Sequence, residues 1–182
     1  IHILRETVFD MCAAPGGKSF TMAEMMDNKG VIKAFDLHEH RVDLIKEGAA
    51  RLGIDIIEAR VSDAEKYDKS LGLADRILCD VPCSGLGIVG RKPEIRYKTA
   101  TNIDYLPSLQ YNILVNSSKY LRAGGTLVYS TCALNPKENE EVVSRFLDEH
   151  RDFELKTIKT VLPHVYDCDG FFYAVLKKGD RN

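Results

Sequence analysis

Two thiols and a carboxylate stand where they could do chemistry. Asp80-Val81-Pro82-Cys83-Ser84-Gly85 places a cysteine shortly after an acid, and Ser130-Thr131-Cys132 ends on a second cysteine. Each follows an apolar, strand-like run, Ala74 to Asp80 and Thr126 to Thr131. A cysteine is a small hydrophobe until it ionises, and then it is a strong nucleophile. Zinc would need three or four ligands at finger-like spacing, which is not seen, so no metal is expected. A redox pair would favour Cys-x-x-Cys. Nucleophilic chemistry remains, for Cys83, Cys132 or both. Cys12 and Cys79 read as buried hydrophobes, and Cys168 in a polar loop has no assignment.

A ligand loop lies near the start of the chain. Met11-Cys12-Ala13-Ala14-Pro15-Gly16-Gly17-Lys18-Ser19-Phe20 runs from a β-like segment into small residues and then a helical pattern. Gly17-Lys18-Ser19 matches the end of a phosphate-binding P-loop, but Cys12 stands where that loop needs its first glycine. Gly16 and Gly17 still let backbone approach a ligand at a helix start. A triphosphate is not expected there. Lys18 in a helix's first turn is electrostatically poor for structure, which favours a functional role.

Strands and helices must alternate to position these residues. Strands are expected at 7–12, 31–36, 54–61, 74–80 and 126–131, with two late ones near 153–160 and 171–177. Helices are expected near 18–28, 39–52 and 102–122, and one starting at Asn135-Pro136-Lys137-Glu138, with a capping Asn and Pro in first position. Phe20, Met22, Ala23 and Met26 face inward, as do Val42, Ile45, Ala49 and Leu52. So do Leu106, Leu109, Ile113 and Tyr120, and then Val142, Val143, Phe146 and Leu147. This βα succession predicts an α/β fold, an open parallel sheet with helices on both faces. Ligands bind such sheets at the carboxyl ends of the strands. There the loop, Asp36, Asp63, Asp80 and the two cysteines collect. Asp36 suits ribose hydroxyls or a helix N-terminus equally well; Asp63 reads slightly better as a cap.

Bulk properties set outer limits. A chain of 182 residues, 45% hydrophobic, suits one domain with a real core. Its formal charge of −2 gives no overall footprint for nucleic acid. Five cysteines without paired spacing suit free thiols in a reducing cytoplasm. No run is long and apolar enough to span a membrane. The chain opens on Ile1, almost directly in a strand, and reads as a fragment lacking an N-terminal part.

Asp10-Met11-Cys12-Ala13-Ala14-Pro15-Gly16-Gly17-Lys18, the Asp80 to Gly85 stretch and Ser130-Thr131-Cys132 together resemble the Sun-type RNA (cytosine-C5) methyltransferases, the bacterial 16S ribosomal RNA enzymes in particular. Asn135-Pro136 with Glu138-Asn139-Glu140, and Asp169-Gly170-Phe171-Phe172, resemble that family too. The likeness implies a Rossmann-like class I methyltransferase fold, with a mostly parallel seven-stranded sheet, over one catalytic domain spanning residues 1–182. It implies S-adenosyl-L-methionine as cofactor, lined by Cys12, Ala13, Ala14, Pro15, Gly16, Gly17 and Lys18. Asp36 would hold the ribose, Asp63 would face the adenine, and Asp80 would sit between cofactor and cytosine. By the same likeness Cys132 is the nucleophile and Cys83 helps release product. Arg91, Lys92, Arg96, Tyr97 and Lys98, in the loop after Cys83, are expected to meet RNA. The family's N-terminal RNA-binding region is expected to lie outside this chain. The other readings are a transfer RNA substrate, a DNA cytosine methyltransferase with Cys83 as nucleophile, and a non-catalytic RNA-binding module. A dehydrogenase is excluded by the missing Gly-x-Gly-x-x-Gly.

Overall fold

Short β-rich runs form the strands, and the central ones carry near-continuous buried residues that cover both faces. The computed structural model describes residues 6–97 and 103–180. In chain order the elements are β1 (Thr7–Asp10), α1 (Gly17–Met25), β2 (Val31–Asp36), α2 (Glu39–Leu52), β3 (Ile57–Val61), β4 (Ala74–Asp80), α3 (Leu106–Ser118) and β5 (Leu121–Thr131). Then come α4 (Glu140–Glu149), β6 (Phe153–Val161), the single turn α5 (Pro163–Tyr166) and β7 (Phe171–Lys178). The seven strands form one sheet in the order β3-β2-β1-β4-β5-β7-β6. All neighbours pair parallel except β7, which runs antiparallel between β5 and β6. The expected fold class holds, with this one reversed strand.

The pleat divides the core between two helical layers. Val8 and Ile32 turn toward Ala23 of α1 and Met26 just past its end, and Ala34 meets Ile45 of α2. Phe9, Ile77 and Tyr129 turn the other way, into one cluster with Ile113 and Leu114 of α3 and Val143 and Phe146 of α4. Each large side chain so buried contributes about 1.5–3 kcal/mol. The strand order reverses between β1 and β4, which opens a crevice at their carboxyl ends.

Several boundaries differ from expectation, for local reasons. Strand β1 stops at Asp10, yet Met11 N still donates to Leu78 O (2.9 Å) and Ala13 N to Phe35 O (2.8 Å), so the loop stays sewn between β2 and β4. Helix α1 ends at Met25, and the left-handed Asp27 and Asn28 (φ 54° and 52°) lie just beyond it. Gly53, at φ 66°, closes α2 at the expected boundary after Leu52. Leu52 is 44% exposed rather than buried, since the helical period sets it about 80° from Val42, at the edge of the stripe. Strand β3 starts only at Ile57, and β5 begins earlier, at Leu121, with a register break opposite Ala74 and Arg76. Helix α3 is shorter than expected, so Tyr120 is buried beyond its end. Pro136–Glu138 form a separate 3₁₀ turn capped by Asn135, and α4 starts after Asn139 breaks the path (φ −114°, ψ −97°). Among the described residues no helix is long and apolar enough to cross a membrane.

Candidate active site

The turn from β1 into α1 is built so that backbone faces the crevice. Gly16 sits at φ 109°, and a Cβ there would lie 2.4 Å from the Phe20 ring, so glycine is required. Buried Ser19 donates to Asp10 Oδ2 (2.7 Å) and ties the first helical turn to β1. The loop opens on a cavity of about 650 Å³ whose walls include Cys12, Asp36, Asp63, Asp80, Cys83 and Cys132. A recess of about 510 Å³ adjoins it along Ala13, Gly17 and Lys18 and shares Cys12, Ala14, Pro15 and Asp80 with it. Thus the cofactor-loop residues expected from the sequence, apart from buried Gly16, line one of these two spaces.

At one end, Asp36 leaves β2 with 3% exposure. Its Oδ1 accepts from His38 N (3.2 Å), and its Oδ2 lies 3.4 Å from Arg41 Nη1. The other Arg41 nitrogen, Nη2, donates to Ala14 O (3.0 Å), so one guanidinium joins the carboxylate to the loop. Asp63 caps a turn rather than the expected short helix, and it lies on the cavity wall. It accepts from Glu65 N (3.0 Å) and pairs with Lys66 (2.9 Å), which holds its carboxyl below the usual range.

At the other end stand the thiols. Cys83 Sγ and Cys132 Sγ are 2.9 Å apart, because β4 and β5 are parallel neighbours that end at the same level. The pair is unequal. Cys83 is pushed well up, first by the hydrogen bond it shares with Cys132 and then by burial. Cys132 is pulled down, first by that same hydrogen bond and with help from the Lys18 charge, against burial and Asp80. Once the pair gives up a proton, these directions favour the thiolate on Cys132 and the remaining proton on Cys83. Cys79 is fully buried and pushed up to about 12, and Cys12 is raised well above its ordinary value by burial, as inert structural thiols should be. Exposed Cys168 Sγ donates to Asp169 O (3.4 Å).

Asp80 joins the two halves. Lys18 Nζ donates to its Oδ2 (2.7 Å) and Ser130 Oγ to its Oδ1 (2.8 Å). The unfavourable helix-start position of Lys18 is explained by this carboxylate and by the sulfur whose charge it favours. Among the described residues no His, Cys, Asp and Glu group could hold a metal ion.

The loop after Cys83 is locked onto the thiolate strand. Gly87 N donates to Cys132 O and Gly170 N to Gly87 O, both at 2.8 Å. A Cβ on Gly87 would fall 2.2 Å from Gly170 O, a backbone atom that cannot swing away. Gly87→Ala is expected to lower stability by about 1–3 kcal/mol through this overpacking. Urea unfolding checks it, and an unchanged midpoint would remove the close approach from the account. Of the residues expected to meet RNA, Lys92 bounds the cavity mouth, and Arg96 and Tyr97 lie exposed on a 3₁₀ turn. Arg91 is held in an ion pair by Asp169. Lys98 lies outside the described residues. The sequence reading missed Arg41, Ser130 and Glu138. Glu138 was visible as an apparent helix-start acid and within a family-like run, with no role attached to it.

The comparisons agree on one family. The family model described as 16S rRNA methyltransferase RsmB/F matches residues 4–177. A probable ribosomal RNA small subunit methyltransferase B of Bacillus subtilis is 44% identical over 95% of this chain and 43% of its own length. A ribosomal RNA small subunit methyltransferase B of Yersinia enterocolitica is 37% identical over 95% and 42%. The chain thus spans less than half the length of these curated relatives. Among solved structures, NSun6 from Pyrococcus horikoshii with SFG superposes with a TM-score of 0.88 at 32% identity, covering 97% of this chain and 48% of that one. A methyltransferase homolog protein from the same organism gives 0.84 at 34% identity, over 96% and 62%. With the family model matched along nearly its whole length, the chain belongs to the RsmB/F family of 16S rRNA methyltransferases.

Proposed function

We propose that the chain transfers a methyl group from S-adenosylmethionine to C5 of a cytosine in RNA, with 16S ribosomal RNA as substrate and the cytoplasm as its place of action. The observation that carries this is the pair of sulfurs 2.9 Å apart in one crevice, one favouring the thiolate and the other the thiol. A simple binding site has no need of that asymmetry.

The walls fit the cofactor. Asp36, buried and still open to the cavity, suits a ribose diol, and the carboxylates of Asp36, Asp63 and Asp80 suit a cationic sulfonium. Gly17 has open space where a Cβ would stand, which leaves the helix start accessible to a ligand. When bound, the cofactor would supply a methyl on sulfonium that an electron-rich carbon can accept, the sulfur leaving as a neutral thioether.

The chain's own residues make C5 electron-rich. The Cys132 thiolate adds to C6 and pushes the C5–C6 electron pair onto C5, splitting one hard step in two. Asp80, oriented by Lys18 and Ser130, hydrogen-bonds the ring as charge develops. After transfer the C5 proton leaves to a base, the C5–C6 double bond re-forms and Cys132 departs as thiolate. Cys83 stands beside the departing sulfur and assists that release. The base must leave its stack to enter.

To test it, 16S ribosomal RNA is incubated with methyl-labelled cofactor and digested to nucleosides, beside calorimetry of cofactor binding to the wild type and Asp36→Ala. Label in 5-methylcytidine and at least about tenfold weaker binding by the variant are expected, the loss of a charged hydrogen-bond partner. Label on another base or position would sink the reading.

A further inference from the structure

We propose that Glu138, with its neighbour Asn139, is a positioning residue that fixes the separation of the two sulfurs. The inference deepens the proposed function and borrows from it only the naming of Cys83 and Cys132 as the reacting groups.

The residues on either side of both cysteines are tied to this one dipeptide. Pro82 and Ser84 flank Cys83. Ser84 N donates to Glu138 Oε2 (2.8 Å), and Gln110 Nε2 donates both to Pro82 O (2.9 Å) and to Glu138 Oε2 (3.0 Å). Thr131 and Ala133 flank Cys132. Thr131 Oγ1 donates to Asn139 Oδ1 (2.6 Å), and Asn139 Nδ2 donates to Ala133 O (3.0 Å). Asn135 Nδ2 donates to Glu138 Oε1 (3.2 Å), and Tyr129 from inside β5 donates to Glu138 O (2.6 Å). Glu138, Gln110, Ser84 and Thr131 are 0% exposed and Asn139 is 1% exposed.

Stability alone does not account for such a knot. A carboxylate buried among neutral donors is costly to desolvate, and an apolar side chain of its size would fill the space more cheaply. What an apolar residue could not do is accept from Ser84, Gln110 and Asn135 together. A carboxylate is the acceptor-only group with enough lone pairs for all three. The break in the chain at Asn139, between the 3₁₀ turn and α4, is what lets adjacent side chains serve the two cysteine loops.

Glu138→Gln keeps the shape but turns an NH₂ toward a donor whichever way the amide lies, so one tie must open. Gln110→Met is the second variant, removing the tie to Pro82 and leaving the carboxylate its other donors. Val143→Ala, a cavity in the same helical layer, is the control for general loosening. The readout needs neither RNA nor cofactor. Diamide takes one hydrogen from each thiol as it is reduced to its hydrazine, and the sulfurs join. Peptide mapping under non-reducing conditions follows the Cys83–Cys132 crosslink over time. Both variants are expected to crosslink at least about tenfold more slowly than wild type while folded, as misplacement on the ångström scale does for reacting groups. Val143→Ala is expected to match wild type. Rates within about twofold of wild type in the folded variants, or equal slowing in Val143→Ala, would overturn the proposal. Slow crosslinking with no methylation by the wild type would instead overturn the proposed function and leave the positioning role standing.

Discussion

Cys132→Ala is expected to lose methyl transfer by at least about 10³-fold, the scale on which an enzyme loses a nucleophile. Cys83→Ala is also expected to turn over poorly, but for a different reason and with a different trace. With Cys132 intact, the thiolate still adds to C6 and the methyl still moves. The release of Cys132 then stalls, so RNA stays bonded to protein and a slow band appears on a denaturing gel. The geometry gives the reason for assigning the roles this way round. Cys83 keeps its proton because its hydrogen bond to Cys132 and its burial both oppose its charge. Cys132 is the less buried thiol, accepts that hydrogen bond and feels Lys18. An adduct that builds up in Cys132→Ala instead would exchange the roles and favour the DNA-enzyme-like mechanism. The Cys132 direction also sets a pH dependence. Alkylation of Cys132 is expected to begin at lower pH than for a free cysteine, and Lys18→Met, which removes the assisting charge, is expected to move its onset upward.

Much of this site was readable in the chain because its parts are local. Gly16-Gly17-Lys18, Asp36, Asp80, Cys83 and Cys132 each sit at the end of an apolar strand, and parallel sheets gather strand ends. What could not be read was long-range. That the two sulfurs touch follows from the β4–β5 register, in which Asp80 lies opposite Ser130, and no spacing in the sequence fixes that. Arg41 carries no motif of its own, and only the folded chain brings its guanidinium to both Asp36 and Ala14. Glu138 was read by its nearest neighbours, as a helix-start acid behind Asn135 and Pro136. Its partners Ser84 and Gln110 lie far away in the chain, and a local rule had no means to see them. The same limit explains the displaced start of α4, where the demands of Asn139 override capping chemistry. The reversed β7 between β5 and β6 likewise depends on pairing that alternation alone leaves open.

Asp10→Asn is expected to stabilise the protein above neutral pH and to change it little in acid. Asp10 is 1% exposed at the end of β1 and anchors the cofactor loop through Ser19. Its Oδ1 has no well-formed hydrogen bond among the described residues. Burial raises its carboxyl from 3.8 to about 7, with Asp80 adding to the rise and Ser19, Lys18 and the Cys12 amide opposing it. In the unfolded chain the group titrates normally. Below about pH 4 it is protonated in both states and contributes nothing to their difference. Between about 4 and 7 the unfolded chain has lost the proton and the folded chain still holds it, so stability falls as pH rises. By about pH 8 the full penalty is in place, on the order of 4 kcal/mol for a shift of this size. An asparagine keeps the shape, still accepts from Ser19, and has no charge to bury, so that fall should vanish. Urea midpoints of both proteins at about pH 4 and pH 8 decide the matter, since the titration window lies between them. A gap that widens markedly toward pH 8 is expected, and a gap independent of pH would mean that Asp10 is already charged in the folded protein.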